Sequence, residues 1–501
     1  MLQSFCFCGK MYSRFNALNL EGTDKMKIIE MQNTYINKIK QINKNGRYAV
    51  LTMGCQLNEN DSEKISGMLE ASGYTKTDDL TKANVIVFNT CCVRENAEDR
   101  LFGKLGEVKK YKENNGTIIA IGGCMMQEKH IVNRLKQSYP FVDIIFGPHT
   151  MQDFPKDLYN SIVENKKIED ILDIDGNIIE GMPIVRDDSI KASVAIMNGC
   201  NNFCTYCIVP YVRGRERSRN PQDIYNEVLD LAKNGYKEIT LLGQNVNSYL
   251  VSERKQNKNL NLTVKKENGE EVEVNSFAKL LRLINTIDGI ERIRFISPHP
   301  KDFTDDVIYS ISDCDKVCNL IHLPLQSGST NVLKAMNRKY TKEQYLNLVE
   351  KIRAKIPDVQ FSTDIIVGFP GETEEDLEDT LDVVKKVGYE QIFMFIYSRR
   401  VGTVADKMEN QIDEKVKHER FNRLKSLAEK IIEEGNKKYV GTVQKVLVEG
   451  KSKTNDKIYT GRTETNKVVN FEGNDDLVGK VIPLKIASEH MWYLKGEYEN
   501  W

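Results

Sequence analysis

The chain has 501 residues, 29% of them charged, and a formal net charge of −1. This length exceeds what one hydrophobic core supports, so we expect several domains, and the near-zero net charge excludes a protein that binds nucleic acid as a polycation. No apolar run approaches the ~20 residues of a membrane span, and the 11 cysteines lack the spacing of a secreted disulfide scaffold. We therefore predict a cytoplasmic protein whose cysteines are metal ligands or core residues.

Residues 1–45 show little apolar periodicity outside one segment, "MKIIEMQNTYINKIKQI", which predicts a helix. We expect this N-terminal extension to be partly disordered. From 46 to 165, apolar strands alternate with helices, and the strands read "RYAVLTMGC", "ANVIVFNTCC", "TIIAIGGC" and "VDIIFG". Strands this apolar are buried on both faces, which predicts an α/β domain with a parallel sheet.

A cysteine stands at the carboxyl end of each of the first three strands: Cys55, Cys91 and Cys124. That edge is where ligands bind in open α/β sheets, so three residues distant in sequence should converge there. This pattern predicts a metal site, with three buried thiols as the alternative. Cys92 should point elsewhere because side chains alternate along a strand, and we assign it no ligand role.

Strand and helix patterns continue from about 186 to 433, and the strands read "VAIMNG", "EITLLGQN", "RIRFISPHP", "CNLIHLPLQSGS", "FSTDIIVGFPGET" and "IFMFIYSRR". Six such units fall short of the eight of a closed barrel, so we predict an open partial barrel with its active site at the carboxyl ends of the strands. The charged stretch 253–275 is expected to be a solvated insertion without function. From 436 to 499 the pattern is all β, which predicts a small barrel of a kind that binds nucleic acid.

The loop after the first barrel strand, "GCNNFCTYC", contains Cys200, Cys204 and Cys207. Three thiolates cannot complete a tetrahedral zinc site, but they can hold three corners of a [4Fe–4S] cluster and leave the fourth iron open. Zinc completed by Cys314 or Cys318 is the alternative, although those two residues have the surroundings of core positions.

This cysteine spacing, with Tyr206 before the last cysteine, resembles that of the radical S-adenosylmethionine enzymes. A longer set of motifs resembles the MiaB-type tRNA methylthiotransferases: "GCQLNENDSE", "NTCCVRENAE", "GGCMMQ", "RGRERSR", "HLPLQSGSTNVLKAMNRKYT" and "IIVGFPGET". The resemblance implies a methylthiotransferase N-terminal domain over 46–165, a radical S-adenosylmethionine core over 186–433 and a TRAM RNA-binding domain over 436–499. It also implies that Cys55, Cys91 and Cys124 hold a second [4Fe–4S] cluster.

The activity implied by the resemblance is methylthiolation of C2 of N6-isopentenyladenosine at position 37 of tRNA by a 5′-deoxyadenosyl radical. A radical route fits because no protein base can deprotonate an unactivated C2–H bond. The implied partners are the tRNA anticodon arm, an electron donor such as flavodoxin or ferredoxin, and a sulfur donor. Two alternatives stay open: a sister enzyme acting on threonylcarbamoyladenosine of tRNA, and a non-enzymatic metal-cluster protein that binds RNA.

No catalytic residue is predicted beyond the cluster ligands, and His299 is expected to be a packed loop residue. Polar and glycine residues at the strand ends are candidates for binding S-adenosylmethionine, together with Tyr206: Gly243, Gln244, Asn245, Ser297, Gln326, Asp364 and Arg399. Basic residues near the cluster loop and in the last domain are candidates for phosphate contacts with RNA: Arg213, Arg215, Arg217, Arg219, Arg462 and Lys467.

Overall fold

A computed structural model describes residues 22–92, 97–172, 178–258, 260, 262–453 and 455–498. The expected disorder of the N-terminal extension concerns mainly residues outside this set, and the predicted helix of the extension is present. The chain divides into two compact units, one of residues 1–51, 64–88 and 107–185, and the other of residues 52–63, 89–106 and 186–501. Among the described helices, none combines the length and apolar character needed to cross a membrane.

The N-terminal region contains a six-stranded sheet in the order β2-β1-β3-β4-β5-β6. Its strands are β1 (Arg47–Met53), β2 (Thr75–Lys76), β3 (Val85–Thr90), β4 (Ile118–Gly123), β5 (Ile144–Phe146) and β6 (Ile168–Asp170). Its helices are α1 (Gly22–Ile42), α2 (Gln56–Ala71), α3 (Ala97–Asn115), α4 (Lys129–Ser138) and α5 (Phe154–Glu164).

This sheet is the predicted parallel α/β layer. Strand β3, "VIVFNT", is buried at every position, as expected for a central strand covered on both faces. The pairs β1–β2, β4–β5 and β5–β6 are parallel. Tyr48, Val87 and Ile144 lie in the core that the helices cover.

Six parallel strands form the predicted open barrel. They are arranged as two three-stranded sheets, each following the chain order, and a parallel bridge between Ile293 and Val317 lies where the two sheets meet. The barrel strands are β7 (Lys191–Ala195), β10 (Glu238–Leu242), β13 (Arg292–Phe295), β14 (Leu320–His322), β15 (Gln360–Val367) and β16 (Gln391–Ile396). Four short strands in the same region form two separate pairs, and they are β8 (Met197–Asn198), β9 (Arg217–Ser218), β11 (Thr263–Lys265) and β12 (Glu271–Glu273).

Helices cover the outside of this barrel, whose parallel strands are β7, β10, β13, β14, β15 and β16. The helices are α6 (Val209–Val212), α7 (Pro221–Lys233), α8 (Val251–Gln256), α9 (Phe277–Asn285), α10 (Asp305–Asp313), α11 (Thr330–Ala335), α12 (Lys342–Lys355), α13 (Glu374–Val387) and α14 (Glu414–Lys437). Thr341 and Thr373 each begin a helix with a capping box, which satisfies amide groups that the first turn leaves open.

The expectation of a purely solvated insertion at 253–275 is wrong. Its described residues include the last four residues of helix α8 and an antiparallel hairpin, β11–β12, in which Val264 is fully buried against the barrel core. Val274, directly after the hairpin, is also fully buried. The high charge of the segment concealed these few apolar anchors, which are enough to fix a short hairpin to a neighbouring core.

The C-terminal region is the predicted small β-barrel, closed in the order β17-β18-β19-β21-β20. Its strands are β17 (Val443–Ser452), β18 (Asn455–Thr463), β19 (Val468–Glu472), β20 (Val481–Glu489) and β21 (Leu494–Glu497). Arginines of β13 attach it to the amino-terminal end of the larger barrel: Arg292 donates to the carbonyl oxygens of Arg462 and Lys445 at 2.8 Å, and Arg294 donates to that of Glu464 at 2.8 Å.

Candidate active site

The cysteine loop after β7 is held in place by backbone contacts on both sides. The Cys200 amide donates to the carbonyl of Gly214 at 3.2 Å, and the Cys207 amide donates to that of Cys204 at 2.9 Å. Gly199 has a φ of +78°, and a Cβ there would lie 2.1 Å from the Arg215 carbonyl oxygen, so only glycine fits. The loop is therefore a fixed scaffold for its three thiols.

The three thiols are close enough to affect one another electrostatically. The pKa of Cys200 is raised to about 11 and that of Cys207 to about 12, chiefly by burial and in part by the neighbouring Cys204. Buried thiolates need a cation, and the irons of a cluster supply one. Within the described part of the chain, no three His, Cys, Asp or Glu side chains converge on one metal ion.

Arg338 lies against this loop, and the sequence analysis did not find it. Its side chain is 5% exposed, and its guanidinium donates to Cys204 Sγ at 3.4 Å and to the Pro324 carbonyl at 3.2 Å. In the described residues, no carboxylate lies within ion-pair distance of it. A buried cation requires a counter-charge, and the cysteines of the loop would supply one as thiolates if they held a metal cluster.

Two further thiols, those of Cys55 and Cys91, lie in the same compact unit as the cysteine loop. Cys55 reaches the surface, Cys91 is 1% exposed, and the hydrogen bond that they share is the main cause that raises the pKa of Cys55. The nearby Arg213 guanidinium lowers the pKa of Cys55. Arg213 also forms a 2.6 Å ion pair with Asp61, so this pair of thiols is connected to the segment that follows the cysteine loop.

Cys124 belongs to the other unit, where it begins a short 3₁₀ helix directly after β4. Strands β1, β3 and β4 are consecutive in the sheet, so the three predicted cysteines follow three neighbouring strand ends. Cys92 is buried. Cys314 and Cys318 lie before β14, at the edge of the barrel opposite the cysteine loop, where burial raises the pKa of each to about 11. They do not complete a zinc site with Cys200, Cys204 and Cys207.

An open cavity of about 690 Å³ lies in the barrel, and residues of α2 and of the small C-terminal barrel also line it. Its polar lining includes a chain of side chains on adjacent strands, in which His322 contacts Ser362 Oγ at 3.0 Å and Asp364 Oδ2 at 3.3 Å. Its apolar lining includes Phe393 and Phe395. Carboxylates outnumber cations in the lining, and the charged lining residues are Glu59, Glu63, Asp187, Asp188, Glu238 and Asp364 against Lys191, Arg294 and Arg462.

Two candidates for binding S-adenosylmethionine, Ser297 and Asp364, line this cavity. Ser297 and Gln326 have φ values of 59° and 69°, and such strained backbone is typical of functional sites. The side-chain oxygens of Gln244 and Asn245 are buried and have no hydrogen-bond partner within the described structure, and their contact with S-adenosylmethionine stays a prediction.

The other candidates have roles in packing or ion pairing. Gly243 is required by space, since a Cβ there would lie 2.6 Å from Met197. Tyr206 packs against a small apolar cluster around Phe369. Arg399 binds Asp406 at 2.9 Å while remaining largely exposed. His299 is 5% exposed, and burial lowers its pKa, so its ring is neutral and packed as expected.

The basic run "RGRERSR" is mostly internal. Arg213, Arg217 and Arg219 are buried, and Arg219 forms a 2.7 Å ion pair with Glu227. Only Arg215 of the four is exposed, and its guanidinium lies 4.4 Å from the centre of the Phe203 ring.

The two basic candidates in the C-terminal domain are engaged in ion pairs. Arg462 binds Glu449 at 3.1 Å and Lys467 binds Glu390 at 3.2 Å. Lys467 is largely buried, whereas Arg462 is partly exposed. Both lie where the small barrel meets the large one, so their contact with RNA stays a prediction.

Three family models match consecutive parts of the chain. The "Uncharacterized protein family UPF0004" covers residues 47–147, the "Radical SAM superfamily" covers 194–384 and the "TRAM domain" covers 437–498. The fold is similar to a solved radical S-adenosylmethionine methyltransferase, TsrM from Kitasatospora setae, with a TM-score of 0.51, 13% identity, and coverage of 72% of this chain and 74% of that one.

Curated relatives cover nearly the whole chain. A protein from Clostridium beijerinckii is 55% identical over 90% of this chain and 96% of its own length. One from Acetivibrio thermocellus is 51% identical over 93% of this chain and 95% of its own length. Both are named tRNA-2-methylthio-N(6)-dimethylallyladenosine synthase. The chain therefore belongs to the family of the tRNA-2-methylthio-N(6)-dimethylallyladenosine synthases.

Proposed function

We propose that this chain methylthiolates C2 of N6-isopentenyladenosine (dimethylallyladenosine) at position 37 of tRNA. The observation that carries the proposal is the identity of 51–55% with relatives of that name over at least 90% of the chain. The fixed three-thiol loop on an open six-stranded barrel supplies the chemical support. A merely structural metal protein that binds RNA would not need a three-thiol loop at the carboxyl ends of the strands of a barrel, where the active sites of such barrels lie.

The C2–H bond is unactivated, so the reaction needs a radical and not a base. Cys200, Cys204 and Cys207 would hold a [4Fe–4S] cluster, and their donor set fits it. When bound, such a cluster with S-adenosylmethionine supplies the oxidising radical. The chain's own contribution is position and shelter: Arg338 balances the charge of the thiolates, while Gln244 and Asn245 offer unsatisfied buried oxygens to a polar ligand.

A second [4Fe–4S] cluster on Cys55, Cys91 and Cys124 is part of the proposal. Its support is that these cysteines follow three neighbouring strands of one sheet. Cys55 and Cys91 share a hydrogen bond, and the segment next to Cys55 packs on the barrel through Leu57, which lies in one cluster with Ala195 and Leu242. This second cluster would hold the sulfur atom to be transferred.

The cavity favours the isopentenyl substrate over the threonylcarbamoyl one. Its lining has six carboxylates and three cations, so it disfavours an anionic substituent on the substrate. The threonylcarbamoyl group has a carboxylate, which would be repelled there, whereas an isopentenyl group is neutral and apolar. An apolar five-carbon group gains on the order of 0.8 kcal/mol per methylene-sized unit that it buries.

The proposal also assigns RNA contacts. The TRAM-type barrel and the exposed Arg215 would bind the anticodon arm, and the adenine would reach the barrel by unstacking from the loop. An electron donor such as flavodoxin or ferredoxin, a sulfur donor and a cytoplasmic location complete the proposed setting.

The test is an anaerobic assay with the reconstituted protein and three tRNAs, which are isopentenylated, threonylcarbamoylated and unmodified at position 37. We expect the 2-methylthio product mainly from the isopentenylated tRNA. Product mainly from the threonylcarbamoylated tRNA would assign the chain to the sister activity. Failure to release 5′-deoxyadenosine under reducing conditions would favour the non-enzymatic alternative.

A further inference from the structure

The last strand of the open barrel, β16, has an unusual distribution of exposed residues. Its outward residue Ile392 is 6% exposed beneath the helices, whereas the inward residues Phe393 and Phe395 are 42% and 50% exposed. Strands of a parallel barrel are normally buried on both faces. Two neighbouring phenylalanines thus present apolar surface to the interior of the barrel, where a bound group would cover it.

The register of β16 places these rings within the barrel. Phe393 pairs with Asp364 on β15, and Phe395 pairs with Ile366, closer to the carboxyl ends of the strands. The Phe393 ring also lies 5.9 Å from the His322 ring, edge to face. Both phenylalanines line the cavity of about 690 Å³, and Ser193 and Thr240 belong to the same lining.

We infer that Phe393 and Phe395 form the wall that binds the apolar N6 substituent of the target adenosine and so select the modified tRNA. This inference rests on the proposed function and names the residues that give it specificity. We call these two residues the aromatic wall.

The chemistry of the cavity identifies the occupant. An exposed aromatic pair attracts an apolar group, and the surrounding carboxylates disfavour an anionic one. Since carboxylates outnumber cations in the lining, the neutral base end of a nucleotide enters more readily than its phosphates. A branched five-carbon chain on a neutral base satisfies both conditions, whereas bare adenine would leave the aromatic wall in water.

The experiment compares two anticodon stem-loop RNAs, one isopentenylated and one unmodified, with the reconstituted full-length enzyme. Binding is measured by fluorescence anisotropy, and turnover by the 2-methylthio product. In Phe393→Ala and Phe395→Ala, the preference for the isopentenylated RNA should fall about tenfold each, since loss of a few apolar contacts in a pocket changes discrimination by about that factor. Phe393→Leu, which keeps the apolar volume, should retain most of the preference.

Tyr309→Ala is the matched control, because Tyr309 is an aromatic residue of similar exposure, 47%, on the outer helix α10. It should leave the preference unchanged. Thermal unfolding and release of 5′-deoxyadenosine identify any variant that has lost its fold or its cofactors.

The outcomes separate this inference from the proposed function. If the wild-type enzyme converts the isopentenylated RNA and the double Phe393→Ala/Phe395→Ala variant keeps the full preference, the inference fails and the function stands. If the alanine variants bind both RNAs more weakly by the same factor, the inference also fails, since the aromatic wall would then contact a part common to both RNAs. A wild-type enzyme without preference for the isopentenylated RNA overturns the inference and the proposed function together.

Discussion

Replacement of Arg338 by methionine should make the cluster on the cysteine loop harder to reduce. The guanidinium is buried and has no carboxylate partner in the described structure, so the thiolates of the loop are its counter-charge. Reduction adds one more negative charge beside it. Removal of the cation therefore raises the free energy of the reduced state more than that of the oxidised state.

The size of the effect follows from the distance. At 3.4 Å between Arg338 Nη1 and Cys204 Sγ, two unit charges interact by ~5 kcal/mol at an effective dielectric constant of about 20. The added electron spreads over the whole cluster, so the relevant energy is on the order of half that, ~2 kcal/mol. For a one-electron couple this corresponds to a reduction potential lower by roughly 90 mV.

The assay is a redox titration followed by electron paramagnetic resonance, with iron content measured on the same sample. Arg338→Lys keeps the charge and should retain most of the potential, which makes it the control. An Arg338→Met protein with full iron content and an unchanged potential would refute the reasoning. Without cofactors, the Arg338→Met protein should be at least as stable as the wild type. The substitution removes a buried positive charge that has no counter-charge when the cluster is absent.

Iron content tests the two proposed cluster sites. We expect about eight iron atoms per chain after reconstitution, and about half of that number after alanine replacement of Cys200, Cys204 and Cys207. Loss of all iron in that variant would argue against an independent second site. Arg215→Ala should lower the salt dependence of tRNA binding by about one unit of slope while radical formation persists, and an unchanged slope would exclude a phosphate contact. In the N-terminal unit, burial raises the pKa of Asp157 and of its neighbour Asp170 above the ordinary value. The two carboxyl groups therefore contribute fully to stability below about pH 4, and this contribution is lost as the pH rises through their raised pKa values. In Asp157→Asn, the melting temperature should fall less between about pH 5 and about pH 8 than in the wild type. An unaltered dependence of the melting temperature on pH would contradict this.

The layered architecture could be predicted because its signals are local. Each strand has its own apolar run, each helix its own period, and the end of an apolar run marks the carboxyl edge of the sheet. That is why Cys55, Cys91 and Cys124 could be assigned to neighbouring strand ends without any structure. The hairpin β11–β12 was missed because two buried valines in a highly charged segment give no periodic signal.

The partners of the cysteine loop could not be predicted in the same way. Arg338 lies 134 residues from Cys204 in sequence, and an arginine in "KAMNRKYT" has no local feature that indicates burial. Its role depends on which segments the barrel brings together, and only the fold determines that. The exposure of Phe393 and Phe395 could not be predicted either. The apolar run "IFMFIYSRR" predicts a strand covered on both faces, whereas these two side chains are partly exposed.

The run "RGRERSR" illustrates how charge in sequence differs from charge available to a partner. Four arginines in seven residues predict a phosphate-binding surface, yet Arg213 and Arg219 are engaged with Asp61 and Glu227 at 2.6 and 2.7 Å. Each such pair is neutral, so it adds little to the long-range attraction of an RNA backbone. Because Asp61 belongs to the segment that follows Cys55, Arg213 of this run connects the cysteine loop to the segment of Cys55. Substitution of Arg213 should therefore disturb cluster assembly more than tRNA affinity, whereas substitution of Arg215 should do the reverse.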